Sequence, residues 1–207
     1  TTLIAYFIYK KIFGYRFFRI MFFVPTILST VLLTILYSNI IGMNSPVAKL
    51  FQNLFSLPAV PEFLADKRYA LNAIIVYVVW TGFGTNLILL SGAMNRIPSE
   101  VIEAARMDGV GAFRELVQII LPMVWPTMTT LLVFTFVGIF TTSGPILMFT
   151  EGQWDTYTVA YWIFEQVYSG GRYEYASAVG LIFTLIALPI VLGVKKLMER
   201  WQESVDY

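Results

Sequence analysis

The stretch that decides the fold is residues 70–93, ALNAIIVYVVWTGFGTNLILLSGA. It contains no Asp, Glu, Lys or Arg, and it is long enough to cross a bilayer core, which takes about 20 mostly apolar residues. A buried strand is far shorter, and Gly82 and Gly84 are tolerated inside a membrane helix. Three further stretches of the same kind occupy roughly 17–41, 116–140 and 175–194. A fifth, partial one covers 1–12, where Thr1 leads straight into apolar residues with no basic segment before them. That opening reads as the tail of a truncated helix rather than a signal peptide, so a longer chain with a further N-terminal helix is expected. The expected fold class is all-α: a polytopic transmembrane helical bundle forming a single membrane domain over 1–207.

Composition points the same way. The 207 residues are 57% hydrophobic and 13% charged, whereas a soluble domain carries about 25% charged residues. A net charge of +1 without basic runs gives no footprint for nucleic acid. With no Cys there are no disulfides or thiolate metal sites. With no His, the commonest catalytic base and metal ligand is missing as well. No G-x-x-x-x-G-K-[ST] phosphate loop occurs. The side-chain chemistry of an enzyme is largely closed off.

Lys and Arg set the expected orientation. Ten of them (Lys10, Lys11, Arg16, Arg19, Arg96, Arg106, Arg114, Lys195, Lys196 and Arg200) fall in one alternating set of connections, against four (Lys49, Lys67, Arg68 and Arg172) in the other. The first set is expected on the cytoplasmic side, which leaves the long connections 42–69 and 141–174 outside. Both hold turn-formers, among them Asn44-Ser45-Pro46, Pro58, Pro61 and Gly170-Gly171. Residues 156–168 read as an amphipathic surface helix with Trp154, Tyr157, Tyr161, Trp162 and Tyr168 as interfacial aromatics.

The functional signal lies in the basic-side connection 96–109, RIPSEVIEAARMDG. Ser99 is a good N-cap, and Glu100 and Glu103 suit the positive end of a helix dipole. Gly109 supplies a left-handed stop. Ala104 and Ala105 leave part of the helix bare, so a partner surface can come close, and Arg106 is placed to pair with Glu103. The segment fits a short docking peg, and by local physics alone it fits an ordinary solvated loop helix equally well.

The spacing Glu103-Ala104-Ala105, three residues, Gly109, nine residues, Ile119, one residue, Leu121-Pro122 resembles the EAA signature of binding-protein-dependent ABC importer permeases. Pro98 and Asp108-Gly109 resemble the carbohydrate, maltose-type branch, and the likeness extends from the basic segment before Phe17 to the last span. The resemblance implies a type I ABC importer permease core in a bacterial plasma membrane. It also implies a coupling helix, with Glu103, Ala104, Ala105, Arg106, Asp108 and Gly109 engaging an ATPase. The implied partners are a second permease in a heterodimer, two ATP-binding subunits that hold ATP and Mg, an extracellular solute-binding protein, a carbohydrate and membrane lipid. No cofactor or metal on this chain and no nucleic acid are implied. The end at Lys195-Lys196-Leu197-Met198-Glu199-Arg200-Trp201 lacks the Gly-rich tail of the smaller maltose-type subunit, so the chain looks more like the larger type.

Polar groups within spans point to a pathway. Tyr77, Trp80, Thr81, Gly82, Thr85 and Asn86 occur in the span at 70–93, and Thr127, Thr129, Thr130, Thr135 and Gly138 in the next, followed by Thr141 and Thr142. Aromatic faces with neutral hydroxyls and amides suit a sugar, although small residues also serve helix packing. Positions equivalent to the substrate contacts of maltose-type permeases fall at or beside Val78, Thr81, Gly82, Thr135, Ile139 and Thr142. Only Gly82 keeps the family's residue type, so maltose itself is not the expected substrate. An extracellular stretch, Ser143-Gly144-Pro145 and Thr150-Glu151-Gly152-Gln153, departs from the family's Gly-Gly pattern. The alternatives are the same architecture importing an amino acid, osmolyte or phosphorylated polyol, or a non-transporting membrane scaffold.

Overall fold

The computed structural model describes residues 1–43, 45–56 and 59–200. Asn44, Pro58 and Trp201, singled out above, lie outside them. The elements run α1 Thr2–Tyr9, α2 Tyr15–Ile27, α3 Thr30–Ile41, α4 Pro46–Leu54, α5 Ala70–Met94, α6 Ser99–Met107, α7 Ala112–Glu115, a π-helical turn Leu116–Ile120, α8 Leu121–Thr141, α9 Gly144–Phe149, α10 Val159–Tyr168 and α11 Tyr173–Arg200. Among the described residues every regular element is helical.

Three helical stretches are long and apolar enough to cross a membrane: Ala70–Met94, Ala112–Thr141 and Tyr173–Arg200. They contain the stretches expected at 70–93, 116–140 and 175–194. At about 1.5 Å per residue, the 25-residue first one is roughly 37 Å long. Backbone polar groups are satisfied internally, which hydrocarbon demands. Hydroxyls in the spans do the same. Thr81 donates to Tyr77 O, Thr130 to Pro126 O, Thr135 to Leu131 O and Thr184 to Gly180 O, each 2.8–3.0 Å.

The stretch expected as one span over 17–41 is instead two helices, α2 and α3, bent by 119°. Pro25 removes a backbone donor near the end of α2. Ser29 then turns the backbone extended (φ −64°, ψ 145°), and its side chain accepts from Leu32 N to start α3. The sequence shows continuous apolarity across this break, and hydropathy carries no information about direction. Likewise, α4 and α9 occupy connections that read only as loops. Ser45 caps α4 by accepting from Ala48 N, with Pro46 in the first turn.

The chain forms two compact units. One comprises Thr1–Val24, Phe83–Val137 and the described residues from Ala187; the other comprises Pro25–Gly82 and Gly138–Ile186. The first holds a core of Ala5, Tyr6, Ile8, Leu87, Leu90, Met94, Ile97, Ile102, Leu116, Ile120, Val124 and Leu131. Phe22 stacks on Phe83 with ring centroids 4.8 Å apart, and Trp125 Nε1 donates to Met198 O at 3.0 Å. The helix α1 ends in a turn closed by Lys11 N to Ile8 O and Ile12 N to Phe7 O. Lys11 there adopts φ +51°, a left-handed conformation that costs a non-glycine residue about 1–2 kcal/mol.

The second unit has two smaller clusters. Leu33, Tyr37 and Tyr77 form one, with Trp80 and Phe149 against them; Ile74, Ile146 and Tyr161 form the other. Tyr37 Oη donates to Ala73 O at 2.7 Å. The expected surface helix is α10, capped by Thr158, whose side chain accepts from Tyr161 N. Tyr161, read as an interfacial aromatic, is buried against Ile74 and Ile146. The loop before it requires glycine at 152: φ is +75°, and a Cβ would come within 2.3 Å of the Tyr157 ring.

All ten basic residues of the cytoplasmic set belong to the first unit or to segments within it, and all four of the other set to the second. The chain has no Cys, so single-cysteine variants report orientation cleanly. Lys49→Cys should react with a membrane-impermeant maleimide in intact spheroplasts, and Arg106→Cys only after permeabilisation. The reverse pattern would overturn the orientation.

Candidate functional site

The segment 96–109 is built on α6. Its cap residue is Pro98 (φ −57°, ψ 136°) with no side-chain cap bond, so Ser99 is the first helical residue rather than the N-cap. Glu100 in the first turn and Arg106 in the last complement the helix dipole. Ile102 and Ala105 are buried, and Ile102 joins Ile97 and Leu116 in the core. Ala105 therefore does not belong to the bare surface expected of it. It is small because it faces its own chain. Glu103, Ala104, Arg106, Asp108 and Gly109 are exposed.

The helix ends as the glycine demanded. Gly109 N donates to Arg106 O and Val110 N to Ala105 O, each 3.0 Å, with Gly109 at φ +69°. This pair of bonds is the Schellman arrangement, which places a left-handed residue just past the helix. A Cβ at Gly109 would meet nothing within 4 Å, so conformation alone selects glycine. Glu103 and Arg106 form no ion pair; the described residues pair Lys10 with Glu115, Lys67 with Asp155 and Lys195 with Glu199. Both side chains are exposed, and neither is in an ion pair among the described residues.

The base of the loop is tied to α1. Lys10 Nζ lies 2.5 Å from Glu115 Oε1, with the Glu115 side chain only 4% exposed. Beside it Tyr6 Oη donates to Ala112 O at 3.1 Å. The π-helical turn follows directly and leads into Leu121-Pro122. Pro122, two residues past the turn, has no backbone N–H to give the i→i−4 bond to Gln118 O. Beyond the tether, Met107 and Phe113 stand 88% and 79% exposed. The loop thus presents two large apolar side chains and several charges on a fixed base.

The pathway candidates divide between the two units. Tyr77, Val78, Trp80, Thr81, Gly82, Gly138, Ile139 and Thr142 fall in the second, and Thr85, Asn86 and Thr135 in the first. Tyr77 and Trp80 meet edge to face at 6.5 Å, together with Tyr37 and Phe149. Tyr77 is 2% exposed, and its hydroxyl lies 3.3 Å from Thr34 Oγ1. Val78 and Ile139 are exposed, as are Gly82, Thr85 and Thr135. Thr142 Oγ1 donates to Gly138 O at 2.6 Å. Back-bonded hydroxyls such as Thr81, Thr135 and Thr142 keep acceptor capacity free while their protons are satisfied.

Comparison with known proteins decides the family. The family described as binding-protein-dependent transport system inner membrane component matches residues 2–203. The chain belongs to that family. It is 26% identical over 188 residues to the multiple sugar-binding transport system permease protein MsmF of Streptococcus mutans, covering 89% of this chain and 64% of that protein. It is 26% identical over 185 residues to the diacetylchitobiose uptake system permease protein NgcF of Streptomyces coelicolor, covering 84% and 51%. With the maltodextrin transport system permease protein MdxF of Bacillus subtilis it shares 28% over 196 residues, covering 86% and 45%. The chain thus spans about half to two thirds of these relatives' lengths. A chain of the bacterial alginate ABC transporter, crystallised with its alginate pentasaccharide-bound periplasmic protein, superposes with a TM-score of 0.84 at 22% identity over 99% of this chain and 73% of that one. The shared fold is a multi-pass helical membrane subunit.

Within this permease-family chain, sequence reasoning missed the tether. Lys10 and Glu115 are 105 positions apart, and with Arg114 beside Glu115 nothing local pointed to Lys10 as its partner. Lys10→Met alone should strand a buried carboxylate and cost about 3–5 kcal/mol. The Lys10→Met/Glu115→Leu pair should recover most of it in thermal unfolding in detergent; a double variant no more stable than the single would remove the ion pair from the account. Separately, Gly109→Ala should cost about 1–2 kcal/mol and Gly109→Asn less, since Asn tolerates the left-handed region. Equal costs for the two would defeat the conformational explanation.

Proposed function

We propose that this chain is the membrane permease of an ATP-driven importer, forming with a second permease the pathway for a sugar or oligosaccharide handed over by an extracellular solute-binding protein. The observation that carries the reading is α6 and its stop. Glu103, Ala104, Arg106, Asp108 and Gly109 are displayed outward, while Ile102, Ala105 and the Lys10–Glu115 tether fix the helix from behind. In this reading two ATPase subunits, which bind ATP and Mg, grip that surface. Their closure pushes on α6, and the rigid base passes the movement to α5 and α8. A pliant loop would absorb the push, so the buried ion pair serves coupling as well as stability. The chain acts as one membrane domain of the larger assembly.

The carbohydrate assignment is supported by the sugar-transport names of the relatives and by the neutral character of the candidate pathway. Trp80, Thr81, Asn86 and Thr135 offer aromatic faces and neutral hydrogen-bonding groups, the pairing that suits a ligand with C–H faces and many hydroxyls. Ligand-driven alternation between outward and inward openings then requires only that ATP binding favour one of the two states.

The test is purification of the full-length protein from its native membrane in mild detergent, with mass spectrometry of what stays bound. The wild type should bring down a P-loop ATPase and a second permease, and Glu103→Lys/Gly109→Pro should lose the ATPase while keeping the permease. Recovery of the wild type alone in several detergents would overturn the proposal.

A further inference from the structure

The turn between α1 and α2 holds a cation where a glycine would sit at ease. Lys11 occupies the left-handed position of that helix end, the same position Gly109 fills after α6. Backbone preference therefore does not explain the lysine, and its side chain is the feature to explain. It lines a cavity of about 300 Å³ with Tyr9, Tyr15, Arg19, Ser91 and Asn95. No carboxylate is among the lining residues, and neither Lys11 nor Arg19 is in an ion pair among the described residues. Arg19 is held over the Phe23 ring at 5.5 Å. Ser91 Oγ is buried without a hydrogen-bond partner.

A second, apolar groove of about 370 Å³ adjoins this cavity and shares Ile8 and Tyr15 with it. Its other walls include Phe7, Ile12, Phe13, Phe18 and Phe22. Phe13 is fully exposed, and Phe7, Ile12 and Phe18 are 42–49% exposed. A water-filled groove of this composition is costly, because each apolar side chain left bare forfeits its transfer free energy. Two cations with neutral donors at one end and a phenylalanine-lined trough at the other match an amphiphile that is anionic at its head and hydrocarbon behind. Lys11 and Arg19 also belong to the basic set expected on the cytoplasmic side, where basic pockets between helices bind anionic headgroups.

We propose that this is a binding site for one anionic phospholipid, its phosphate held by Lys11 and Arg19 and an acyl chain lying in the groove beside Phe7 and Phe18. Free phosphate would use only half of the site, since the groove gives it nothing. The lipid would brace the α1–α2 turn, and through α1 the Lys10 that tethers the docking loop. The site depends on the chain's place in a membrane and not on the transported solute.

The experiment uses the full-length protein in its assembled complex, reconstituted in nanodiscs of equimolar phosphatidylglycerol and phosphatidylcholine with identical acyl chains. Native mass spectrometry after release counts the lipids retained. One phosphatidylglycerol per copy should persist in preference to phosphatidylcholine. Lys11→Gly/Arg19→Gln should lower that retention about 30-fold, corresponding to roughly 1 kcal/mol for each basic residue, with phosphatidylcholine unchanged. Lys11→Gly also relieves the backbone, so the single variant should unfold at a temperature no lower than the wild type, which separates loss of the site from loss of the fold. Equal retention of the two lipids, or an unaltered preference in the double variant, would overturn the proposal. Displacement of the lipid by inorganic phosphate, or a peptide mass in its place, would do so equally.

Discussion

A backbone amide or carbonyl left bare in hydrocarbon costs several kcal/mol, and helices are the way a single segment avoids it. Most of this structure follows from that constraint. It accounts for three long helices whose composition would be unremarkable lipid-facing material and whose hydroxyls bond back to their own turns. It also explains where irregular backbone is permitted. The break between α2 and α3 is repaired at once by the Ser29 side chain, and the π-helical turn at Leu116–Ile120 precedes a proline that could not have continued the ladder. Breaks are placed where a side chain or a register change can restore the lost bonds.

A second constraint acts at the loop that carries α6. A helix of nine residues such as α6 has little rigidity of its own. Its stiffness comes from outside itself: Ile102 and Ala105 are sunk into the core, Gly109 closes the helix, and α7 is pinned to α1 by an ion pair and a tyrosine bond. A buried ion pair is weak evidence for net stability, because desolvation offsets much of the Coulomb gain. It does fix geometry, since neither partner can leave without stranding the other. That directional constraint is what the pair adds to the loop.

The aromatic residues show how the same residue type serves different ends. Tyr77 was legible as a pathway candidate because a polar side chain stands in an apolar span. In the fold it is wrapped by Tyr37, Trp80 and Phe149, so it positions its neighbours more than it presents itself. Tyr161 looked interfacial and became core. For both, the periodic pattern says that one face of the ring is apolar and one end polar. It does not say which packed surface will claim the apolar face.

Local sequence features alone determined that the chain is helical, that it holds stretches long and apolar enough to cross a membrane, and where α6 stops. Those properties are local or additive: a span is a sum over about 20 residues, and the stop at Gly109 is one residue's conformational freedom. The spacing of Glu103, Ala104, Ala105 and Gly109 likewise lies within a single segment. Only the tertiary structure decided the rest. It bent 17–41 into two helices, turned Ala105 inward, left Glu103 and Arg106 without an ion pair among the described residues, and joined Lys10 to Glu115 across 105 positions. It set Lys11 of the α1–α2 turn and Arg19 of α2 beside an aromatic trough as well. Each of these depends on which surfaces meet in space, and no periodicity within a segment encodes the partner that a distant segment brings.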